Sequence, residues 1–148
     1  MDEFEKLFCG EWVCVRTDNL RESMEAMSMQ KEDIDFFMEN KPKMKIVRQG
    51  DKVFHSTDLG RGVMHDITYE FGKEFEAKDN KRDPPLYHNK LTCTFENGKL
   101  TFESRSQLTG PRKIDVATVM FVKDGELISD SSPLNDRSIV GRRIYKKA

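Results

Sequence analysis

The residues best suited to bind a polar group are Arg143 and Tyr145, in the carboxyl-terminal segment IVGRRIYKKA. The segment has the pattern of a β-strand, so these two side chains share one face while Ile144 points to the other. One face must be covered in a small globular domain, and the apolar pattern does not decide which. An inward guanidinium would need an anionic or hydrogen-bonding partner, and its planar fork suits a carboxylate.

Catalytic chemistry is not indicated elsewhere in the chain. The three histidines share no compact metal-ligand spacing, and the sequence contains neither G-x-S-x-G nor H-E-x-x-H. A thiol could meet a histidine in space, but buried structural cysteines are the commoner case. We therefore predict a protein that is not an enzyme and that has no metal or cofactor. The residues concerned are His55, His65, His88, Cys9, Cys14 and Cys93.

Length and composition predict a single domain over residues 1–148. The 25 basic and 26 acidic residues nearly cancel, so no overall charge attracts nucleic acid. The segment MDEFEKLFCGEW has no apolar run, which argues against a secretory signal or a membrane span. The three cysteines lack C-x-x-C spacing and are expected to be free thiols. We expect a monomeric protein that stays in the cytoplasm and does not insert stably into membranes.

Helical patterns occur once, at about residues 18–40. Asn19 followed by Glu22 resembles a capping box, and apolar residues with helical spacing follow it. A second start near Ser28 leads to another apolar set, and Pro42 ends the pattern. We predict two helices of about ten to twelve residues each, joined near Ser28 and Met29.

The rest of the chain predicts ten short strands separated by turn residues. They are EWVCVRT, KMKIVRQ, KVFHSTD, GVMHDITYE, KEFEA, LYHNKLTCTFE, KLTFESRSQ, KIDVATVMFV, ELISD and SIVGRRIYKK. Strands at hairpin spacing favour an antiparallel up-and-down meander closed into a barrel. The tight links 2-3, 4-5, 6-7 and 8-9 fall on one end of such a meander, and the helix pair and longer loops fall on the other.

This arrangement resembles the intracellular lipid-binding proteins of the calycin superfamily, whose best-known members bind fatty acids. The matching points, in the family's order, are FCGEW, DNLRESMEAM, Lys41-Pro42, FGKEFE, NGKL, DGEL and RRIY. The resemblance covers essentially the whole chain, and the order of the motifs carries it. It implies an all-β, ten-stranded barrel (a β-clam) with a helix-turn-helix lid between the first two strands.

The resemblance also implies a ligand site. Arg143 and Tyr145 resemble the family's R-x-Y pair, which faces the cavity and holds a ligand carboxylate. The bound molecule is expected to be a long-chain fatty acid or a related small hydrophobic ligand, carried inside the cell. The residues expected at the lipid chain and the entrance are Leu20, Met24, Phe36, Phe37, Pro42, Thr57, Phe102, Ser104 and Thr118.

Two departures from the family pattern affect this site. Where many members have a second inward basic residue, this chain has Met120, so the head group meets a single cation. One cation binds a carboxylate but also suits a neutral amide or alcohol. The other departure is extra residues at about 78–88, 107–113 and 131–137. All three are expected at the helix-bearing end, either as tolerated surface loops or as an enlarged rim around the entrance.

Two other classes of protein were weighed. Lipocalins share the G-x-W of residues 10–12, but secreted lipocalins have a signal segment, usually a disulfide, and a helix after the barrel. A protein-interaction module without a ligand is the other alternative, and a barrel interior filled by large side chains would favour it.

The charge of the lid predicts how a ligand would be delivered. Residues 18–40 contain seven acidic and two basic side chains, which anionic membrane headgroups would repel. We therefore expect transfer through water or to a basic protein acceptor. Nuclear entry is also considered, although Glu25, Ile34 and Asp35 occupy the positions of the basic import signal found in some family members.

Overall fold

The computed structural model describes residues 2–148. The helices are α1 (Glu3–Phe8), α2 (Leu20–Ala26) and α3 (Lys31–Glu39), and a 3-10 turn covers Gly110–Arg112. The strands are β1 (Gly10–Asp18), β2 (Lys43–Gln49), β3 (Lys52–Gly60), β4 (Val63–Tyr69), β5 (Phe75–Lys78), β6 (His88–Glu96), β7 (Lys99–Ser106), β8 (Val116–Lys123), β9 (Glu126–Pro133) and β10 (Gly141–Lys147).

The ten strands form one antiparallel sheet in the order β4-β3-β2-β1-β10-β9-β8-β7-β6-β5. The pairing of β1 with β10 joins the two ends of the chain, so the meander curls into a barrel. The strands β4 and β5 lie at the two edges of the sheet and leave a gap in the wall. The prediction of a ten-stranded antiparallel clam is confirmed, with helices α2 and α3 between β1 and β2.

The prediction that helical structure occurs only in residues 18–40 is wrong. Helix α1 precedes β1, and the side chain of Asp2 caps it by accepting a hydrogen bond from the Glu5 N–H at 2.8 Å. The sequence does contain a signal, because Asp2 is followed by an acid three residues later and Phe4 and Phe8 have i, i+4 spacing. A six-residue helix is too short to be evident from periodicity.

The capping box predicted at Asn19 is also wrong. Asn19 does precede α2, but its φ angle is 53° and its side chain donates to the carbonyl of Val140 at 2.9 Å instead of capping the helix. The two lid helices have seven and nine residues, shorter than predicted, because α3 begins at Lys31 and not near Ser28. Residues 27–30 connect them, as predicted.

The two ends of the barrel differ as the connection lengths predict. The 2-3, 4-5, 6-7 and 8-9 turns lie at one end, which we call the hairpin end, and α2 and α3 lie at the other, the lid end. The 3-4 connection is an exception to the length rule, because only two residues separate Gly60 from Val63 at the lid end. The extra loops do reach the lid end: Arg112 of the 7-8 loop lies 3.6 Å from Asp33 of α3. A hollow of about 400 Å³ lies between residues 26–28 of the lid and two enlarged loops, which contribute Lys113, Asp115 and residues 133–135.

Helix α1 closes the hairpin end. The ring of Phe4 stacks on Phe8 at 5.3 Å and packs edge-on against Phe71 and Phe95, which flank the 4-5 and 6-7 turns. Phe8 is fully buried, and the guanidinium of Arg48 covers the rings of Phe4 and Phe71. The main core therefore begins at the hairpin end and extends up the inner faces of the strands.

Candidate functional site

The structure answers which face of β10 is turned inward. Tyr145 is 3% exposed and belongs to the main core, so Arg143, two residues earlier, shares its inward face. Arg142 points outward, where its Nε and Nη2 atoms donate to the two carboxylate oxygens of Asp130 at 2.7 and 2.9 Å. Two adjacent arginines thus have opposite environments.

Ile144 is buried on the outer face, so both faces of β10 are covered. Its cross-strand neighbours are Ile128 on β9 and Arg16 on β1. Next to Ile128 lies Phe121 of β8, over which the guanidinium of Arg142 sits at 5.9 Å. Long arginine stems can cover an apolar outer surface while their charged ends stay in water. Because both faces of β10 carry apolar contacts, the apolar pattern of the sequence could not decide which face points into the barrel.

Arg143 lies beneath the lid and contacts an aromatic ring of α3. Its guanidinium carbon is 5.8 Å from the ring centre of Phe37 on α3. Among residues 2–148 the buried Nε of Arg143 has no hydrogen-bond partner. Burial raises the pKa of Tyr145 to about 12, although the charge of Arg143 opposes this rise. The phenol therefore stays protonated at neutral pH and can donate a hydrogen bond beside the guanidinium.

Met120 lies on the inner wall two strands away from Arg143. Arg143 pairs with Ser129 on β9, and Ser129 pairs with Met120 on β8. At strand spacings of about 4.8 Å, the two side chains start roughly 10 Å apart. A basic residue at position 120 would bring a second positive charge to this stretch of wall, and the methionine present there adds none.

Small hydroxyl side chains line the wall next to Arg143. Ser129 is its direct neighbour, and the hydroxyls of Thr118 and Ser131 are hydrogen-bonded at 3.2 Å. Thr118 pairs with Phe102 on β7, and Ser104 follows two residues later on the same face of that strand. This wall is therefore uncharged and polar, in contrast to the aromatic hairpin end.

The opposite wall, on β3 and β4, contains residues that the sequence reasoning did not select. Thr57 was predicted at the lipid chain and lies on the inner face of β3, but buried His55 lies on that face as well. The ring of His55 packs edge-on against Phe102 across the barrel at 6.2 Å. The alternation of Val53, His55 and Thr57 in KVFHSTD is the signal that could have indicated this histidine.

The predicted entrance residues divide into three groups. Leu20 and Met24 are buried with Ile34 in a small core inside the lid, so they hold the two helices together. Phe37 packs against that core and also faces Arg143, while Phe36 contacts Phe37 and the guanidinium of Arg61. Pro42 is buried just before β2, where its carbonyl accepts a hydrogen bond from the Cys14 N–H at 3.0 Å. Of the predicted entrance residues, Phe37 therefore faces Arg143, and Phe36 lies beside it. The others pack within the lid or next to β1.

The lid is held against the barrel at separate points. Helix α2 lies so close to Gly141 of β10 that a Cβ atom there would collide with the side chain of Ser23. Helix α3 contacts the 3-4 turn through the ion pair of Glu39 with Arg61 at 3.1 Å. Opening the site would have to separate these contacts, and the pair of Glu39 with Arg61 joins exposed side chains that separate at little cost.

Comparison with known proteins supports the fold. No protein-family model matches the chain, and no curated protein sequence matches it. Among solved structures, the REP1-NXSQ fatty acid transporter is 22% identical with a TM-score of 0.74, covering 95% of both chains. Fluorescent protein UnaG is 22% identical with a TM-score of 0.76, covering 98% of this chain and 99% of its own. Apo lipid binding protein 8 of Caenorhabditis elegans is 19% identical with a TM-score of 0.74, covering 95% of both chains.

The chain has the fold of the fatty-acid-binding proteins. The resemblance carried by the ordered sequence motifs is thereby confirmed at the level of the fold. Sequence identities of 19–22% are too low to identify the ligand from these proteins. The ligand of this chain depends on the side chains inside its own barrel. The helix pair between β1 and β2 also separates it from the lipocalin arrangement weighed above.

The remaining candidate groups have little reactivity. Cys9, Cys14 and Cys93 are free, and burial raises the pKa of each thiol, so the nucleophilic thiolate form is disfavoured. Residues 2–148 contain no group of three or more His, Cys, Asp or Glu side chains that could hold a metal ion. Across the same residues, no helix has both the length and the apolar character needed to cross a membrane.

Proposed function

We propose that this barrel binds one long-chain fatty acid, or a closely related lipid, non-covalently in its interior and carries it through the cytoplasm. The observation behind the proposal is Arg143, an inward guanidinium whose buried Nε has no hydrogen-bond partner within residues 2–148. Leaving a buried donor unsatisfied costs about 1 to 3 kcal/mol. A ligand carboxylate would remove that cost and form charge-assisted hydrogen bonds.

In this proposal the two halves of the interior have different roles. Burial of the acyl chain supplies most of the affinity, at about 0.8 kcal/mol for each methylene. The head group is selected by Arg143 and the phenol of Tyr145, with Ser129 and Met120 beside them on the wall. The acyl chain of the ligand lies against Thr57, Phe102, Ser104 and Thr118. Phe36 and Phe37 line the entrance through which it passes.

Small side chains favour a ligand-binding barrel over a filled one. Threonines and serines occupy inward positions on β3, β7, β8 and β9 in the lid half. Large aromatic side chains fill the hairpin half instead. An interaction module without a ligand would have no need of an arginine whose buried Nε is unsatisfied beneath its lid. We further propose that the protein is a carrier and not an enzyme, since its buried thiols have raised pKa values.

The two adjacent arginines provide a matched test. Arg143→Gln should weaken binding of stearic acid about tenfold to a hundredfold, because a charge-assisted hydrogen bond contributes about 1.5 to 3 kcal/mol. Binding of stearyl alcohol should change much less. Arg142→Gln is the control, since it removes an outward arginine that pairs with Asp130. Isothermal titration calorimetry of the three proteins with both ligands measures this, and equal weakening of acid and alcohol by Arg143→Gln would contradict the proposal.

A further inference from the structure

The inner faces of β3 and β4 form a second polar patch away from Arg143. Tyr69 and His55 are buried, and strand alternation turns Thr57 and His65 to the same side. Thr57 and His65 are direct cross-strand partners. Asp66 and Ser56 lie on the outer face, where they hydrogen-bond to each other at 2.6 Å. We refer to His55, Thr57, His65 and Tyr69 as the β3–β4 patch.

The hydrogen-bonding groups of this patch are poorly satisfied. His55 Nδ1 lies 3.4 Å from the hydroxyl of Tyr69, which is a long contact, and its Nε2 lies 3.2 Å from the sulfur of Met44. A thioether is a weak acceptor and cannot donate, so one nitrogen of the ring lacks a good partner in either tautomer. The chain thus keeps an imidazole and a phenol inside the barrel with capacity for another hydrogen bond.

The patch is uncharged at neutral pH. Burial, and to a smaller extent the nearby His65, lowers the pKa of His55 to about 4. Burial also lowers the pKa of His65 and raises that of Tyr69 well above its ordinary value. A neutral imidazole can donate one hydrogen bond and accept another, and a phenol can donate one. This chemistry suits a hydroxyl or carbonyl oxygen and does not suit a second carboxylate.

The patch and Arg143 are far enough apart to contact different parts of one ligand. Strands β1 and β2 separate β10 from β3, which corresponds to about 14 Å along the wall at strand spacings of about 4.8 Å. The His55 ring reaches Phe102 on the opposite wall. A lipid whose carboxylate is at Arg143 would therefore meet the patch with the interior of its chain, well beyond the head group.

We propose that the β3–β4 patch is a second binding site, for a hydroxyl or oxo group in the middle of the lipid chain. The preferred ligand is then an oxygenated fatty acid instead of a saturated one. This proposal rests on the function proposed above, because it takes the carboxylate to lie at Arg143. A saturated chain would leave the imidazole and the phenol buried without new partners. A chain hydroxyl can accept from one of them and donate to the imidazole, and an oxo oxygen can accept from either.

The test compares stearic acid with mid-chain hydroxystearic and oxostearic acids by calorimetry. We expect the wild-type protein to bind an oxygenated acid at least as tightly as stearic acid, although the oxygen makes the chain more soluble in water. Tyr69→Phe, which keeps the ring, should weaken the oxygenated acid about tenfold and leave stearic acid unchanged. His55→Phe should act in the same direction. Ser56→Ala, on the outer face of β3, is the control and should change neither ligand.

The outcomes separate the two proposals. Equal effects of Tyr69→Phe on stearic and oxygenated acids would overturn the second site while leaving fatty-acid binding intact. Weaker binding of every oxygenated acid by the wild-type protein would overturn it as well. Failure of all the acids to bind would overturn the proposed function, and with it the second site. Circular dichroism of each variant establishes that it is folded before its binding is compared.

Discussion

The hairpin end and the lid end of this barrel are built from the same strands but from different kinds of side chain. At the hairpin end, Phe4 and Phe8 of α1 pack against Phe71 and Phe95, and the interior is filled. At the lid end, small hydroxyl side chains and Arg143 line the wall, and the buried Nε of Arg143 has no hydrogen-bond partner within residues 2–148. We therefore expect the stability of the fold to depend mainly on the hairpin end, and the proposed ligand binding to depend on the lid end.

This division shows why a barrel can tolerate an unsatisfied arginine. Native proteins have only about 5 to 15 kcal/mol of net stability, so a buried unpaired group is affordable only where other packing is strong. The aromatic cluster of Phe4, Phe8, Phe71 and Phe95 at the hairpin end supplies that packing, and it leaves the space near Arg143 free. The predictions below test this division, from the largest expected effect to the smallest.

The largest effect should come from the hairpin end. Phe8→Ala should lower the free energy of unfolding by about 3 to 5 kcal/mol, because it removes a fully buried ring and leaves a cavity. Phe36→Ala, in the partly exposed lid, is the matched control and should lose less than half as much. Urea denaturation followed by tryptophan fluorescence measures both. Similar losses for the two variants would show that stability is not concentrated at the hairpin end.

Acidification should destabilise the fold through His55, which lies between the two ends of the barrel. Its pKa is about 4 in the folded protein and near 6.5 when the chain is unfolded, so the unfolded chain binds the proton first. The free energy of unfolding should therefore decrease as the pH falls from about 6.5 to about 4, with His55 contributing about 3 kcal/mol. In His55→Phe this contribution should be missing, while those of His65 and the carboxylates persist. Denaturation of both proteins across this pH range tests it, and parallel pH dependences would refute it.

Restoring a second cation at the lid end should sharpen its preference for acids. Met120→Arg would place a guanidinium two strands from Arg143, and the affinity for stearic acid should rise about tenfold. Stearyl alcohol should not gain. Val119→Lys is the control for added charge, because Val119 pairs with the outward Asp130. Unchanged or weaker binding of the acid would mean that Met120 does not face the head group, or that strain and desolvation outweigh the new bond.

The smallest effect is expected for the rate at which ligand is transferred to membranes, which should not change with membrane charge. The lid is acidic, although Arg61 and Arg112 from outside it partly neutralise Glu39 and Asp33. The rate of ligand transfer to vesicles should not depend on their anionic lipid fraction, because anionic headgroups repel an acidic surface. A variant with lysines at the exposed positions 22, 25 and 32 should gain such a dependence. A steep dependence in the wild-type protein would show that the lid docks on membranes.

Much of the architecture was predictable because it depends on local pattern. The strand KMKIVRQ is observed at Lys43–Gln49 as predicted, bounded by Pro42 and Gly50. The ends of strands next to long loops were predicted less accurately. Strand β10 begins at Gly141, although the sequence pattern favoured residues 138–140 as part of it. The carbonyl of Val140 instead accepts a hydrogen bond from the side chain of Asn19, the residue before α2. Turn chemistry marks a tight hairpin, but a long connection is shaped by what it packs against.

The sequence by itself determined that Arg143 and Tyr145 share a face, that ten strands are joined by turns and loops, and that one helix pair follows β1. These properties are periodic and need only neighbouring residues. Only the tertiary structure decided that this face points inward, because Ile144 is buried on the other face and pattern alone makes both acceptable. It alone placed His55 against Phe102 and Phe37 over Arg143. Such contacts join residues distant in the chain, and they exist only once the sheet closes and the lid covers it.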